Sequence, residues 1–521
     1  MQKNSGDDMK KGLIFFIVTF SIITFILTSA VLFKMGKYAT FFTIDPDVPY
    51  LGNSLLYIIS RTIGFNTHPG TPTILLHSLV LLPIRFYTHF IIGIPFITWV
   101  FQNMYSLFHY VRYFQSLLLS VSMAIFLLSI YNNTKSKLST IFAFLALLTF
   151  SSFPYFGITI TPETLSFFLV SLWLLIFSYY QKSHSPFIFI LLPLVAGVAL
   201  ANKLTNLPVV LVSFLLAFTL PNMNTRQKIL NLVLSVFLVG VMFLVSTWPI
   251  RQTYAGMFKW VNVLATTSGV QGSGEKTIFN LDTYTQSFKM LISREKVPFY
   301  IVISTFLFIL SNRFIRKDKL ISPINSMFLG VSMTFIIFSK YYLSYYQLAN
   351  YLIAIYILAD RSNTLPKVIK IIASIILISA VVNNILSFYS IVLNSSQKAD
   401  VIEQYIKSNP SEHGTVWLWG RSKDFAILWA RDWTGGWVFG DRLKSERDNL
   451  YELSTNFEKI TTSENYAVDL FDRCWDHLYI IKSALAPFLQ KYPQYTISYK
   501  DISGSDDIVL ITSSHCRLRD K

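Results

Sequence analysis

The feature that most constrains this chain is the recurrence of apolar runs long enough to cross a bilayer, which as helix takes about 20 residues. Such runs fall at 12–33, 112–131, 138–154, 163–180, 187–201, 206–220, 229–248, 298–312, 320–338, 346–359 and 368–393. The fifth and sixth are short and flank Ala201-Asn202-Lys203, the pattern of a broken pair. The first lacks a small-residue cleavage site and reads as a retained helix, not a cleaved signal peptide. Of the 521 residues, 53% are hydrophobic and only 14% charged. A soluble chain is about a quarter charged, so a soluble enzyme is excluded. A disordered segment, a coiled coil and a disulfide scaffold are excluded with it. The expected fold is a polytopic α-helical membrane protein of about 11 transmembrane helices.

The net charge of +16 would suggest nucleic acid in a soluble protein. Its distribution says otherwise. Residues 1–393 carry 28 basic and 10 acidic side chains, whereas 394–521 carry 16 and 18. A basic apolar body is followed by a near-neutral polar tail, and that shift marks the main domain boundary.

Positive charge gathers on the cytoplasmic side of membrane proteins. With the N-terminus cytoplasmic, the short loops on that side hold Lys135, Lys137, Lys182, Arg226, Lys228, Arg313, Arg316, Arg361, Lys367 and others, while the opposite short loops hold Lys203 and Lys340. An odd number of spans then puts the tail outside, in the orientation of a plasma (inner) membrane protein. Runs 72–87 and 90–101 are also apolar. They lie on the outer surface or form an extra hairpin, giving 13 spans, and either choice preserves the parity. Outer loops of about 34–111 and 249–297 result.

Acids are scarce in the body, so each one needs a reason. Asp45 and Asp47 follow the first span in Thr43-Ile44-Asp45-Pro46-Asp47-Val48-Pro49-Tyr50. A carboxylate near a membrane surface is costly to desolvate and needs a partner. The plain alternative is a solvated turn shaped by proline. An Asp-x-Asp triplet also suggests a metal-dependent nucleotide-sugar transferase, but its outer location and the lack of a Rossmann-like unit around it argue against that. A lipid-linked donor fits the location better. Downstream, Asn66-Thr67-His68-Pro69-Gly70-Thr71-Pro72 punctuates a loop before an apolar helix, with Pro72 suited to its first turn. His68 is either a turn residue or a site residue.

An Asp pair after the first span, followed by His-Pro-Gly and an apolar surface helix, resembles the GT-C superfamily of membrane glycosyltransferases. That superfamily includes protein O-mannosyltransferases and the lipid A aminoarabinose transferase. Further segments match in order: Arg112 opening the second span, Thr161-Pro162-Glu163 opening the fourth, Ala196-Gly197-Val198-Ala199-Leu200-Ala201-Asn202-Lys203, and Lys340-Tyr341-Tyr342-Leu343-Ser344-Tyr345-Tyr346. The likeness covers most of residues 10–360. Asp-Pro-Asp stands where an adjacent Asp-Glu is commoner.

The resemblance implies transfer of a sugar from a polyprenyl-phosphate carrier to a glycan, lipid or protein acceptor on the outer face, with inversion. An acceptor hydroxyl needs a base; Asp47 is the first choice, and Asp45 is a second base, orienter or metal ligand. A leaving lipid phosphate needs cations and donors. Arg112, Lys203, Arg251 and Lys340 are candidates, with His68 and Tyr345 as further substrate-binding residues. A divalent cation held by Asp45 and Asp47 stays open, and no cofactor is required. Each cation has an alternative: interfacial snorkelling for Arg112, Lys203 and Arg251, and an aromatic belt for Lys340 with its tyrosines. Glu163 reads equally as a helix-start acid. Two other functions compete: a flippase or transporter of lipid-linked glycans, and a non-catalytic cell-envelope assembly factor.

The tail, 394–521, reads as a small extracytoplasmic α/β domain. Strands are expected at 415–419, 477–482, 494–499 and 507–512, and helices at 449–460 and 483–491. Six of ten tryptophans lie there: Trp417, Trp419, Trp429, Trp433, Trp437 and Trp475. Core packing is the commoner reason for tryptophan, sugar stacking the alternative. Cys474 and Cys516, the only cysteines, are either one disulfide or two thiols.

Overall fold

The computed structural model describes residues 4–36, 44–64, 70–220, 223–269, 273–316, 322–341, 343–362, 366–418, 425, 450–461, 467–494, 497–503 and 508–513. Seventeen helices precede a sheet. They are α1 (Asn4–Met35), α2 (Ile44–Ser60), α3 (Thr71–Tyr87), α4 (Phe96–Gln102), α5 (Met104–Thr134), α6 (Lys137–Leu148), α7 (Phe153–Phe156), α8 (Pro162–Ser183) and α9 (Pro186–Asn202). Then follow α10 (Leu207–Leu216), α11 (Thr225–Thr247), α12 (Tyr254–Thr266), α13 (Leu281–Arg294), α14 (Lys296–Arg316), α15 (Pro323–Phe338), α16 (Leu348–Ser362) and α17 (Lys367–Ser408).

By length and composition, six described helices can cross a membrane: Phe15–Met35, Thr71–Ile92, Met104–Thr134, Pro162–Ser183, Thr225–Thr266 and Lys367–Ser408. All eleven segments read from the sequence fall on helices, but only five of them fall on these long ones. Of the others, α6, α9, α10, α15 and α16 have 17 residues or fewer. At 1.5 Å per residue, α6 is about 18 Å long, short of the roughly 30 Å hydrocarbon core. The ambiguous 72–87 run is a helix of spanning length, continued by a π turn to Ile92. The 90–101 run is not: Gly93 in the left-handed region and Pro95 interrupt it, leaving α4 with seven residues.

The chain divides into two compact units. The first comprises Met1–Val31, Asn66–Leu76 and Arg112–Phe388. Its centre is α16, whose Leu348–Ile357 run is buried throughout, as expected of a helix apolar on every side. Its buried amide is satisfied locally: Thr334 Oγ1 donates to Asn350 Oδ1 at 2.7 Å, and Asn350 Nδ2 donates to Gln347 Oε1 at 2.7 Å. The indole of Trp173 in α8 donates to Ser213 Oγ of α10 at 3.0 Å. In contrast, α11 exposes Ile229, Leu230, Val233, Phe237, Leu244 and Val245. A contiguous apolar surface of this kind needs lipid or a partner to cover it.

The second unit comprises Leu32–Phe65, His77–Val111 and Tyr389–Lys521. It contains β1 (Thr415–Trp417), β2 (Leu450–Leu453), β3 (Lys459–Thr461), β4 (Ala467–Asp469), β5 (His477–Ile481), α18 (Lys482–Lys491), β6 (Ile497–Asp501) and β7 (Ile508–Ser513). The sheet order is β4-β3-β2-β1-β5-β7-β6. β1 runs parallel to β2 and β5, and the remaining pairs are antiparallel. The expected strands and the 483–491 helix are present among these elements. The expected 449–460 helix is not; that stretch is β2, a turn and β3. Its apolar spacing fits a helix, but Ser454 and Asn456 offer the backbone another partner set. Ser454 Oγ accepts from Lys459 N at 3.0 Å, Asn456 Oδ1 accepts from Glu458 N at 3.2 Å, and Phe457 adopts a φ of 62°. Trp417 and Trp475 are fully buried, Trp417 stacked on Tyr479 at 4.3 Å and Trp475 bonded to Leu470 O, so both are core residues. Trp419, Trp429, Trp433, Trp437 and Cys516 lie outside the described residues.

Packing between α9 and α11 depends on Gly197. A Cβ there would meet Val239 O at 2.6 Å and Met242 Cβ at 2.7 Å, whereas one at Gly240, also on α11, would meet nothing within 4 Å. Gly197→Ala is expected to cost about 1–3 kcal/mol through overpacking, and Gly240→Ala to cost nothing. Thermal unfolding in detergent measures both, and an unshifted Gly197→Ala midpoint would refute the close approach.

Candidate functional site

Two sets of residues, one in each unit, carry the chemistry expected from the sequence. In the second unit, α2 starts within the Asp-Pro-Asp segment. Pro46 sits in its first turn, where the missing amide costs nothing, and Asp47 follows it, fully buried. A carboxylate in the first turn of a helix is favoured by the helix dipole. The backbone around it is fastened on several sides. Asn53 Nδ2 donates to Pro49 O at 2.8 Å, and Asn53 Oδ1 accepts from Gly64 N at 2.7 Å. Ser78 Oγ donates to Ser54 O at 3.0 Å, and Arg85 Nη1 to Ile58 O at 2.7 Å, pinning α3 to α2. The backbone of Asp45 also belongs to α2; its side chain and all of His68 lie outside what is described.

In the first unit the expected break between α9 and α10 is present. Lys203 is extended, with φ −159° and ψ 132°, between α9 and a 3-10 turn over Leu204–Asn206. Interrupting a helix among apolar neighbours frees polar groups, and these must be satisfied within the protein. Two asparagines do this. Asn202 Nδ2 donates to Pro162 O at 2.8 Å and to Ser166 Oγ at 3.0 Å, and its Oδ1 accepts from Thr73 Oγ1 at 2.6 Å. Asn206 Nδ2 donates to Ser166 Oγ and to Ala199 O, each at 2.8 Å. This network holds the break against the start of α8. There the Lys203 ammonium pairs with Glu163 and lies 4.5 Å from the Tyr345 ring centre and 5.3 Å from that of Tyr346. Glu163 is therefore a counter-ion rather than only a helix-start acid.

Arg112 is completely buried on α5. One turn on, Gln115 Nε2 donates to Thr161 O at 3.1 Å, tying its helix to the residue that precedes α8. A fully buried guanidinium is rare unless it is paired. Among the described residues, Glu163 Oε2, Thr161 Oγ1 and Thr71 Oγ1 are buried without a hydrogen-bond partner. Buried oxygens of this kind call for an explanation such as a bound ligand or water.

Lys340 and Arg251 have other neighbours. Lys340 Nζ donates to Ala265 O at 3.0 Å, and Tyr341 OH to Thr267 O at 2.6 Å, capping the C-terminal end of α12. Ser287 Oγ of α13 donates to Lys340 O at 3.1 Å. Burial pushes the Lys340 ammonium below its usual value. These contacts make Lys340 the fastening of the 249–297 loop. The Arg251 guanidinium is exposed, lies over Trp248 at 4.8 Å and donates to Trp248 O, in the manner of an interfacial anchor.

Thr73, Ser166, Asn202 and Asn206 were not singled out from the sequence. Polar side chains within apolar helices were the available signal. The two serines of the α6–α7 turn form another junction. Ser152 shares a hydrogen bond with Ser344, next to the Tyr345 ring, and Ser151 donates its hydroxyl and its amide to the buried Glu295 carboxylate. Among the described residues no group of three His, Cys, Asp or Glu side chains gathers to hold a metal ion.

The fold is similar to that of solved structures of ArnT from Cupriavidus metallidurans, as the sequence resemblance implied. The form bound to undecaprenyl phosphate aligns with a TM-score of 0.52 at 12% identity, over 96% of this chain and 98% of that one. The apo form aligns with a TM-score of 0.51 at the same identity and coverage. No family model and no curated protein matches the chain. The likeness is thus one of fold.

Burial pushes the Glu295 carboxyl up to about 7, and the Ser151 hydroxyl and amide only partly offset this. The folded value exceeds the ordinary one, so folding favours the protonated acid, and that contribution is lost as the pH rises through about 7. The wild-type thermal midpoint is expected to fall between about pH 5 and about pH 8. Glu295→Gln, which mimics the protonated acid, should flatten that fall. Parallel pH profiles for the two proteins would refute the assignment.

Proposed function

We propose that this protein is an integral membrane glycosyltransferase that moves a sugar from a polyprenyl-phosphate-linked donor to an acceptor on the extracytoplasmic face. The observation that carries the reading is the Lys203–Glu163–Tyr345 cluster, built at a helix break and set in a fold shared with a protein solved with undecaprenyl phosphate bound. Support also comes from Asp47, a buried acid at a helix start, and from the basic segments whose distribution favours a cytoplasmic N-terminus and an outer tail.

In this reading Asp47 removes the proton from the acceptor hydroxyl. The hydroxyl oxygen forms a bond to the anomeric carbon as the bond from that carbon to the phosphate oxygen breaks, which inverts the centre. The lipid phosphate departs as an anion, and Lys203 and Arg112 meet its growing charge. The aromatic faces of Tyr345 and Tyr346 hold the Lys203 ammonium where it can exchange a carboxylate partner for a phosphate one. Glu163 keeps that ammonium neutralised until the exchange. Asp45 is the second acid, and a divalent cation is not required by these steps. In this reading residues 394–521 are the extracytoplasmic α/β domain.

Transfer from a radiolabelled polyprenyl-phosphate sugar by the purified protein tests the reading. Asp47→Asn is expected to lower turnover by about 10²–10⁴-fold while leaving undecaprenyl phosphate binding intact; Asp45→Asn should have a smaller effect. Lys203→Ala should weaken undecaprenyl phosphate binding as well as turnover. Full activity of Asp47→Asn would remove it as the base. Translocation of the lipid across vesicles without product would instead favour a flippase.

A further inference from the structure

The opposite end of α8 carries a second cluster with an unanswered charge. Asn132, in the last turn of α5, presents its Oδ1 to two ammonium groups at once: Lys182 Nζ at 2.7 Å and Lys135 Nζ at 3.2 Å. Lys182 also donates to the Asn132 carbonyl. The amide cannot readily turn away, because Asn132 Nδ2 donates to Ser178 Oγ at 2.8 Å, and Ser178 in turn donates to Leu175 O. Lys135 lies 5.4 Å from the Tyr131 ring centre, which orients it further.

Two like charges are thus brought to one neutral oxygen, and among the described residues neither is paired with a carboxylate. The local acid is already engaged: Asp360 Oδ1 accepts from Asn133 Nδ2 at 2.7 Å, and Arg361 lies 3.9 Å from Asp360 Oδ2. Both lysines are exposed and can reach a ligand. The backbone adds to the field. Lys135 adopts a φ of 54°, turning the chain directly into α6, whose Ser136 cap accepts from Ser139 N and whose first residue is Lys137. A helix N-terminus is electropositive and suited to an anion. Lys135 and Lys182 therefore bring positive charge and hydrogen-bond donors to one point, and the chain runs from Lys135 directly into the start of α6.

We propose that Lys135 and Lys182, with the start of α6, form a phosphate-binding site at the C-terminal ends of α5 and α8. It lies about 30 Å along α8 from the Glu163 end and does not depend on the transferase reading. The bound group is a phosphate oxyanion, which can accept from both ammoniums and from helix amides together. Its source is either the headgroup of an anionic lipid in the leaflet at that end or free phosphate.

Native mass spectrometry of the full chain in neutral detergent, offered phosphatidic acid or phosphatidylcholine, tests this. A parallel thermal titration with inorganic phosphate separates the two sources. The wild type should retain phosphatidic acid over phosphatidylcholine, and Lys135→Gln/Lys182→Gln should lower that retention about tenfold, the scale of losing charge-assisted hydrogen bonds. Asn132→Asp, which places a counter-ion between the lysines, should do the same, and Lys135→Arg/Lys182→Arg should preserve binding. A midpoint raised by inorganic phosphate in the wild type but not in the glutamine variant, without lipid preference, would support the site and assign it to free phosphate. Equal binding of both probes by the wild type and the glutamine variant would overturn the proposal. So would an equal loss in Arg226→Gln/Lys228→Gln, which removes the same charge from the start of α11.

Discussion

Interrupting an apolar helix next to a charged side chain is the demand around which this protein's polar architecture is organised. Hydrocarbon offers no partner to a freed amide, carbonyl or ammonium, so the break at Lys203 survives only because the protein supplies them. Asn206 reaches back to the Ala199 carbonyl of α9, Asn202 holds Pro162 O and accepts from Thr73, Ser166 joins the two amides, and Glu163 answers the charge. Most of these partners come from the start of α8. The same arrangement that makes the break tolerable also brings an acid, a base and two aromatic rings together where a lipid phosphate could be met.

The second unit solves a related difficulty differently. Asp47 is a carboxylate without solvent, placed in the first turn of α2 by the prolines around it and by the bonds that lock α2 to α3. A rigid acid is what the proposed proton abstraction requires, since a base must hold its position while the bond forms. The fastening of the 249–297 loop by Lys340 belongs to the same theme. There the Lys340 ammonium caps α12, because helix C-termini attract positive charge.

Much of this was legible in the linear chain. Apolar runs located the long helices of the body but not α2, α12 or α13, which lie in the segments read as outer loops, and the short pair around Asn202-Lys203 announced the break. Asp47, Lys203 and Tyr345 stood out because charged and aromatic groups beside long apolar runs are costly or anchored. The 449–460 stretch was misread because apolar spacing alone does not separate a helix from a short hairpin; Ser454 and Asn456 decided it through local hydrogen bonds. The partners of Lys203 and of the asparagines beside it were not legible for a different reason. Thr73, the Glu163–Ser166 turn of α8 and Tyr346 are distant from one another in sequence and meet only when the helices pack.

Composition and pattern by themselves determined that the chain belongs in a membrane, where its long apolar helices run and which acids are too scarce to be incidental. Those properties are sums over local residues, and the transfer free energy of each segment sets them without reference to the rest. Tertiary structure alone decided that Glu163 neutralises Lys203, that Lys340 fastens the end of α12, and that Lys135 and Lys182 converge on one amide oxygen. Each of these depends on distances between groups on different elements, and such distances are set by packing, which no local pattern encodes.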